Sequence, residues 1–229
     1  MGLIKSSGNM YPWVTHMHAA LGGECPHKCS YCYVDNPSRG KSEKYQGPIR
    51  LIKKEMTTNF GSENTIFIEH MNDLFSYGVP DQIVYEVLDH CKQYPKNMYI
   101  FQTKNPARYL GIPAHRWPQR YMLGVTIETN RVIPGVMNFA PSPISRFAAM
   151  AGIYGAPKFV TIEPIMDFDM ELFIEHIEVI NPEFVNIGAD SKGHKLPEPS
   201  AKKISRFIEE LGRRKIEIRE KHNLDRILR

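Results

Sequence analysis

A strand, a helix and a second strand follow one another in residues 66–105, which read IFIEHMNDLFSYGVPDQIVYEVLDHCKQYPKNMYIFQTKN. Residues 66–68 and 99–101 are short apolar runs of the kind that form buried strands. Between them, apolar residues recur at helical spacing, namely Ile83, Val84, Val87, Leu88 and Cys91. Because parallel strands need a long crossover connection, usually a helix, this order predicts a parallel pair.

The same alternation continues on both sides of this unit. Further strands are predicted at 122–125, 159–162 and 184–187, and an earlier one at 18–21. Helical spacing returns in 172–180 and in 204–211. Six strands that alternate with helices predict an α/β fold with a parallel sheet, which is either open and doubly wound or curled into a barrel.

Polar residues follow most of these strands at the point where each strand should end. Since ligands of parallel α/β folds bind at the carboxyl ends of strands, these residues predict the wall of the site. They fall in 69–73, 102–105, 126–130, 163–167 and 188–191. Helix caps and turns use the same residue types, so no single segment is diagnostic.

Composition indicates one globular domain over residues 1–229. The chain has 42% apolar and 24% charged residues, and no apolar run approaches the roughly 18 residues that cross a membrane. Four cysteines are too few for a disulfide scaffold, and three of them lie close together. We therefore expect reduced thiols and a cytoplasmic protein without membrane contact.

The positive charge is concentrated at the C-terminal end. The net charge is +4, and from Lys202 onward ten basic residues face five acidic ones. We expect a basic helical segment at about 198–229. Its cations either contact phosphate or form a solvated helix face, since glutamates interrupt them.

Three cysteines lie in the segment GGECPHKCSYCY at residues 22–33, where Cys25, Cys29 and Cys32 have the spacing Cys-x3-Cys-x2-Cys. Thiolates are soft ligands that suit zinc or an iron–sulfur cluster. A structural zinc ion would need a fourth ligand, for which His27, His16 or His18 is available. A [4Fe-4S] cluster held by three cysteines leaves one iron free for another ligand.

This segment resembles the signature of the radical S-adenosylmethionine (SAM) superfamily, with Tyr31 at its aromatic position. The resemblance implies a partial (β/α)6 TIM-like barrel, a [4Fe-4S] cluster and SAM, together with an electron donor such as a flavodoxin- or ferredoxin-like reductant. Residues 66–75, 99–106, 124–129 and 162–165 look like a small, phage-associated subgroup of the superfamily.

The resemblance also implies residues that bind SAM. Asn72 or Asp73 would receive the amino group, and Thr126 and Glu128 would meet the ribose and carboxylate. Ile165 and the backbone of Gly188 and Ala189 would contact adenine.

Lys104 and Glu163 are candidate catalytic residues. The ammonium group of Lys104 would hold the SAM carboxylate or a substrate anion, unless it is simply a surface lysine. A carboxylate at Glu163, after an apolar strand, is costly to bury unless it is paired or functional. Cys91, by contrast, shares the apolar face of a helix and is expected in the core.

Two functions follow as hypotheses. The first is a radical SAM enzyme whose 5′-deoxyadenosyl radical abstracts hydrogen from an unidentified substrate. Arg39, Lys41, Lys44, Lys104 and the basic tail favour a nucleotide or nucleic acid slightly over a protein. The second is a non-catalytic, zinc-stabilised module that binds nucleic acid or a partner.

Overall fold

The computed structural model describes residues 2–7, 10–34 and 42–229. Its strands are β1 (Ile4–Lys5), β2 (His16–His18), β3 (Leu21–Gly22), β4 (Arg50–Leu51), β5 (Thr65–Ile68), β6 (Met98–Thr103), β7 (Tyr121–Thr126), β8 (Lys158–Ile162), β9 (Phe184–Ile187) and β10 (Ile218–Glu220). Its helices are α1 (Asp81–Lys92), α2 (Ala107–Leu110), α3 (Pro143–Ala151), α4 (Met170–Ile180), α5 (Ala201–Arg213) and α6 (Asp225–Leu228).

The main sheet runs in the order β1-β2-β5-β6-β7-β8-β9-β10. From β2 to β10 every neighbouring pair is parallel, and only β1 is antiparallel to its neighbour. A doubly wound sheet reverses its strand order at a switch point, whereas this sheet never does. The strands therefore curl in one direction as a partial TIM-like barrel, and the predicted α/β class is confirmed.

Alternation along the strands separates two apolar cores. Ile68, Phe101 and Val160 point outward and pack with the helices, for example with Phe173 of α4 and Phe207 of α5. Their neighbours point into the barrel and form a second cluster, which contains Met17, Phe67, Ile100, Phe159 and Phe184. Side chains of successive strand residues point to opposite faces, so the central strands β5 to β9 contribute to both cores.

The segment before β2 packs into the inner cluster. The ring of Tyr11 stacks on Trp13 at 5.1 Å between centroids, and Trp13 packs edge-on against Phe184 at 5.3 Å. The Tyr11 hydroxyl donates a hydrogen bond of 2.7 Å to Gln102 and lies 2.7 Å from the hydroxyl of Thr161. The barrel interior is thus filled with aromatic rings below a polar layer.

Two elements differ from the sequence predictions. The first parallel strand lies at His16–His18 rather than 18–21. The expected helical tail contains a seventh parallel strand, β10, between α5 and α6. The helix ends there because Lys215 is left-handed (φ 62°) and the amide of Ile216 donates to the carbonyl of Leu211, which is a Schellman motif.

Among the described residues, no helix is both long and apolar enough to span a membrane.

Candidate active site

A cavity of about 790 Å³ opens where the parallel strands end. One wall is the segment after β3, which carries all three clustered cysteines, Cys25, Cys29 and Cys32. The other walls are formed by residues that follow β5, β6, β8 and β9, as the strand order predicted. The last wall, Lys221 and His222, comes from the segment after β10.

The three cysteines are free thiols, each partly buried. Burial raises the pKa of Cys25 to about 12, and the Asp73 carboxylate adds to this rise. Burial also raises the pKa of Cys29, which the Lys104 ammonium partly opposes. A cation that stabilises the thiolates of Cys25 and Cys29 opposes this rise, and a metal centre is such a cation.

No three His, Cys, Asp or Glu side chains in the described parts of the chain converge closely enough to hold a metal ion. The donor set nevertheless fits a cluster in its chemistry, because three sulfurs of one short segment line the same cavity. The fit therefore rests on the type and placement of the donors.

Asp73 connects the cysteine segment to the sheet. Its carboxylate accepts hydrogen bonds from the Thr103 hydroxyl (2.7 Å) and the Lys104 amide (2.8 Å), and it lies 2.8 Å from Nε2 of His27. Burial alone would raise the pKa of Asp73, but His27 and these donors lower it. Asn72 donates to the carbonyl of Gly23 at 3.0 Å and fixes the start of the same segment.

Glu128 lies behind the cavity wall, fully buried, beside Arg146 of α3. Nη1 of Arg146 is 2.7 Å from Oε2 of Glu128, and Oε1 accepts a hydrogen bond from the Tyr31 hydroxyl. Nζ of Lys104 is 3.7 Å from the same Oε1. Burial would raise the pKa of Glu128, yet Arg146 and Lys104 lower it.

Glu69, directly after β5, is buried, and none of the described cations forms an ion pair with it, although the charge of Lys44 lowers its pKa slightly. Its Oε1 accepts hydrogen bonds from the amides of Ala20 and Leu21, the second at 3.0 Å, while Oε2 has no hydrogen-bond partner among the described residues. Burial raises the pKa of Glu69 to about 7, and the two amides only partly oppose this. Glu69 lines the cavity and has a left-handed backbone (φ 63°), which is unusual for a residue other than glycine.

Glu163, after β8, is held by the C-terminal segment. Its carboxylate is 2.6 Å from Nζ of Lys221 and accepts a 2.7 Å hydrogen bond from Asn223. A Cβ atom at Gly188 would come within 2.9 Å of both Glu163 and Asn223. The Glu163 carboxylate can therefore lie this close to the backbone at position 188 only because that residue is a glycine.

The structure divides the residues predicted from the sequence into two groups. Those on the cavity wall are Cys25, Cys29, Cys32, Tyr31, Asn72, Asp73, Lys104, Thr126, Glu163 and Ala189. Those outside its lining are Glu128, Ile165 and Gly188. Ile165 is fully buried, and its amide donates to the carbonyl of Gly188 at 2.8 Å. Arg39 and Lys41 lie outside the described residues, and Lys44 pairs with Glu55 at 3.2 Å.

Sequence reasoning missed several residues of the site. Arg146 shares an apolar helix face with Pro143 and Met150, so a cation on that face was a signal for a buried ion pair. Lys221 and Asn223 carried no signal, because only the tertiary fold brings the tail to β8. Asp190, in the predicted segment 188–191, does line the cavity, but its partner His194, 2.7 Å away, was missed.

Solved structures with a similar fold are radical SAM proteins with partial barrels, so the fold that the resemblance implied is confirmed. Spore photoproduct lyase with bound AdoMet and dinucleoside spore photoproduct is 16% identical, with a TM-score of 0.56 over 87% of this chain and 62% of that one. Streptococcus suis SuiB, bound to the precursor peptide SuiA, is 11% identical, with a TM-score of 0.57 over 92% of this chain and 49% of that one.

This chain thus spans about three fifths of the length of the lyase and half that of SuiB. No curated protein matches it. The phage-associated subgroup stays a prediction. Residues 13–197 match the model of a family described as "Protein of unknown function (DUF5131)", and the chain belongs to that family.

Proposed function

We propose that this protein is a radical SAM enzyme with a [4Fe-4S] cluster at Cys25, Cys29 and Cys32. When bound, the cluster supplies an electron that cleaves SAM to a 5′-deoxyadenosyl radical, which abstracts hydrogen from the substrate. One observation carries the proposal: three thiols line a cavity at the carboxyl ends of the strands in a partial barrel. Similar barrels include one solved with bound AdoMet.

The cavity wall offers residues that suit SAM. Lys104 is partly exposed there, with its ammonium 5.4 Å from the centre of the Tyr31 ring, and it would bind a carboxylate. The polar groups of Asn72 and Thr126 and the backbone of Ala189 are available on the other walls. Glu128 and Asp73 would act indirectly, since each is committed to protein partners. The buried Ile165 and Gly188 would shape the adenine pocket from behind.

The volume of the cavity leaves room for a substrate beside SAM. A nucleotide or nucleic acid is the first candidate and a protein or peptide the second. Lys104 and Lys192 on the wall support an anionic substrate. The lyase was solved with a dinucleoside and SuiB with a peptide, so this type of barrel admits both classes. A flavodoxin- or ferredoxin-like protein would deliver the electron.

A zinc-stabilised binding module is the alternative, and one observation favours it. His27, within the cysteine segment, has its Nε2 2.8 Å from the Asp73 carboxylate, and zinc-bound histidines often have such a partner. Its other ring nitrogen would complete a Cys3His site.

Metal analysis separates the two functions. Protein purified and reconstituted without oxygen is expected to contain about four irons and four sulfides per chain, as a [4Fe-4S] cluster requires. It should release 5′-deoxyadenosine from SAM only when a reductant is added. Cys29→Ala should lose both properties. One tightly held zinc ion in protein purified anaerobically, with no cleavage of SAM, would exclude the enzyme and support the module.

A further inference from the structure

We propose that Glu128 and Arg146 form a buried charge pair that positions Tyr31 and balances the charge behind Cys29, and thereby tunes the reduction potential of the cluster. This inference rests on the proposed function, because it requires an iron–sulfur cluster at the cysteines. The two residues would not touch SAM or substrate. They are positioning residues that act through the cysteine segment.

Glu128 and Arg146 are both fully buried, and Arg146 is the bulkiest of the fully buried side chains in the described part of the chain. Its guanidinium group is 2.7 Å from Glu128 and also donates to the carbonyl oxygens of Thr126 (2.9 Å) and Pro141 (2.7 Å). Apolar residues of the same volume would often stabilise a protein as well as a buried ion pair does. Stability alone therefore gives no reason for this pair.

Glu128 contacts the cysteine segment directly. Tyr31 lies between Cys29 and Cys32, and its hydroxyl donates to Glu128. Nη2 of Arg146 is 3.5 Å from the sulfur of Met137, and the backbone on either side of Met137 holds the same segment: the amide of Ser30 donates to the carbonyl of Val136 at 2.9 Å, and that of Phe139 to the carbonyl of His27 at 3.1 Å. Glu128 thus contacts the cysteine segment through Tyr31, and Arg146 contacts a loop that holds it.

Glu128, Arg146 and Lys104 are among the main charges that act on the Cys29 sulfur, and the two cations favour negative charge there whereas Glu128 opposes it. Reduction adds one electron to a cluster ligated by thiolates. A nearby cation therefore raises the reduction potential, and a nearby anion lowers it. These effects are strong because the groups are buried, where the effective dielectric constant is low.

The charges therefore predict shifts of opposite sign. Glu128→Gln removes the anion and leaves two cations, so the reduction potential of the cluster should rise. Arg146→Gln leaves the anion with only Lys104, so the potential should fall. The double variant should return close to the wild type. If the pair served folding alone, the two variants would not shift the reduction potential in opposite directions.

The test uses the full chain, reconstituted without oxygen and without SAM, in a redox titration monitored by electron paramagnetic resonance. Iron content is measured for each variant. Glu55→Gln is the matched control, because Glu55 is as buried and is paired with Lys44 outside this network. Its potential should equal that of the wild type.

Shifts of the same sign in the two variants, or no shift in either, would overturn the inference. If Arg146→Gln does not fold, Lys104→Gln replaces it: Lys104 is a partly exposed cation, and its loss should also lower the potential. An unchanged or raised potential there would equally overturn the inference. Wild-type protein that assembles no cluster would refute the proposed function instead, so the two failures can be told apart.

Discussion

Two buried glutamates follow strands of the sheet, Glu69 after β5 and Glu128 after β7, and β6 lies between these strands. They differ in their partners. Glu128 faces the guanidinium of Arg146 at 2.7 Å, which lowers its pKa against the effect of burial. Among the described residues, Glu69 accepts hydrogen bonds from two backbone amides only, and burial raises its pKa to about 7 against the smaller effects of these amides and of Lys44.

The difference shows that burial does not by itself determine the charge of a carboxyl group at a strand end. A buried cation keeps Glu128 ionised and lets it accept the Tyr31 hydroxyl of the cysteine segment. Glu69 changes its charge near neutral pH and braces the backbone of residues 20–21 just before that segment. The comparison makes four further predictions, given in order of decreasing effect.

The largest effect is expected for Arg146→Met. This change leaves the Glu128 carboxylate buried without its main partner, which should lower the free energy of unfolding by about 3–5 kcal/mol. Denaturant unfolding of metal-free protein, wild type and variant, measures this loss. Arg213→Met, which breaks an exposed ion pair, is the control. A smaller loss of stability in Arg146→Met than in this control would show that the buried Glu128 carboxylate does not need its cation.

Glu69→Gln should stabilise the protein in a pH-dependent way. The pKa of Glu69 is about 7 in the folded state and near 4.5 when unfolded, so the folded state binds more protons between these values and loses stability as the pH rises through that window. The penalty is about 3 kcal/mol above pH 7. The variant lacks it and should be more stable at pH 8, with little difference at pH 4.5. Unfolding curves at both pH values test this, and parallel profiles for the two proteins would contradict it.

Tyr31→Phe should cost about 2 kcal/mol, because it removes one hydrogen bond to a charged group. The variant should also lose iron to a chelator faster than the wild type. Tyr109→Phe is its control. The Tyr109 hydroxyl also donates a hydrogen bond near this part of the sheet, to the carbonyl of Gly124 on β7, but among the described residues it has no hydrogen bond to a cysteine of the segment. Equal rates of iron loss in the two variants would show that the Tyr31 hydroxyl does not stabilise the metal site.

The smallest effect on the metal is expected for Cys91→Ala. Cys91 is fully buried on α1, on the side of Glu69, and burial raises its pKa. We expect unchanged iron content and a stability loss of about 1 kcal/mol for the atoms removed. Iron below that of the wild type would make Cys91 a fourth ligand.

Much of the fold could be predicted from the sequence. Five of the six predicted strands lie where the apolar runs placed them, because a strand buried on both faces must be apolar throughout. The seventh parallel strand, Ile218–Glu220, was missed because two of its three residues are charged. It lies at the edge of the sheet, where polar side chains reach solvent.

The candidate site was predictable in part. The residues after each strand share one end of the barrel by topology, so Lys104, Thr126 and Glu163 could be assigned to the same wall in advance. The ion-pair partner of each residue could not be predicted. Arg146 is 18 positions away from Glu128, and Lys221 is 58 positions away from Glu163.

The sequence by itself determined the order of strands and helices and the spacing of the cysteines, because both depend on residues close together in the chain. Tertiary structure decided which charges neutralise one another, Glu128 with Arg146 and Glu163 with Lys221, and it left Glu69 without an ion pair among the described residues. The physical reason is that desolvation and Coulomb energy depend on distances in space, which chain spacing fixes only within a single element.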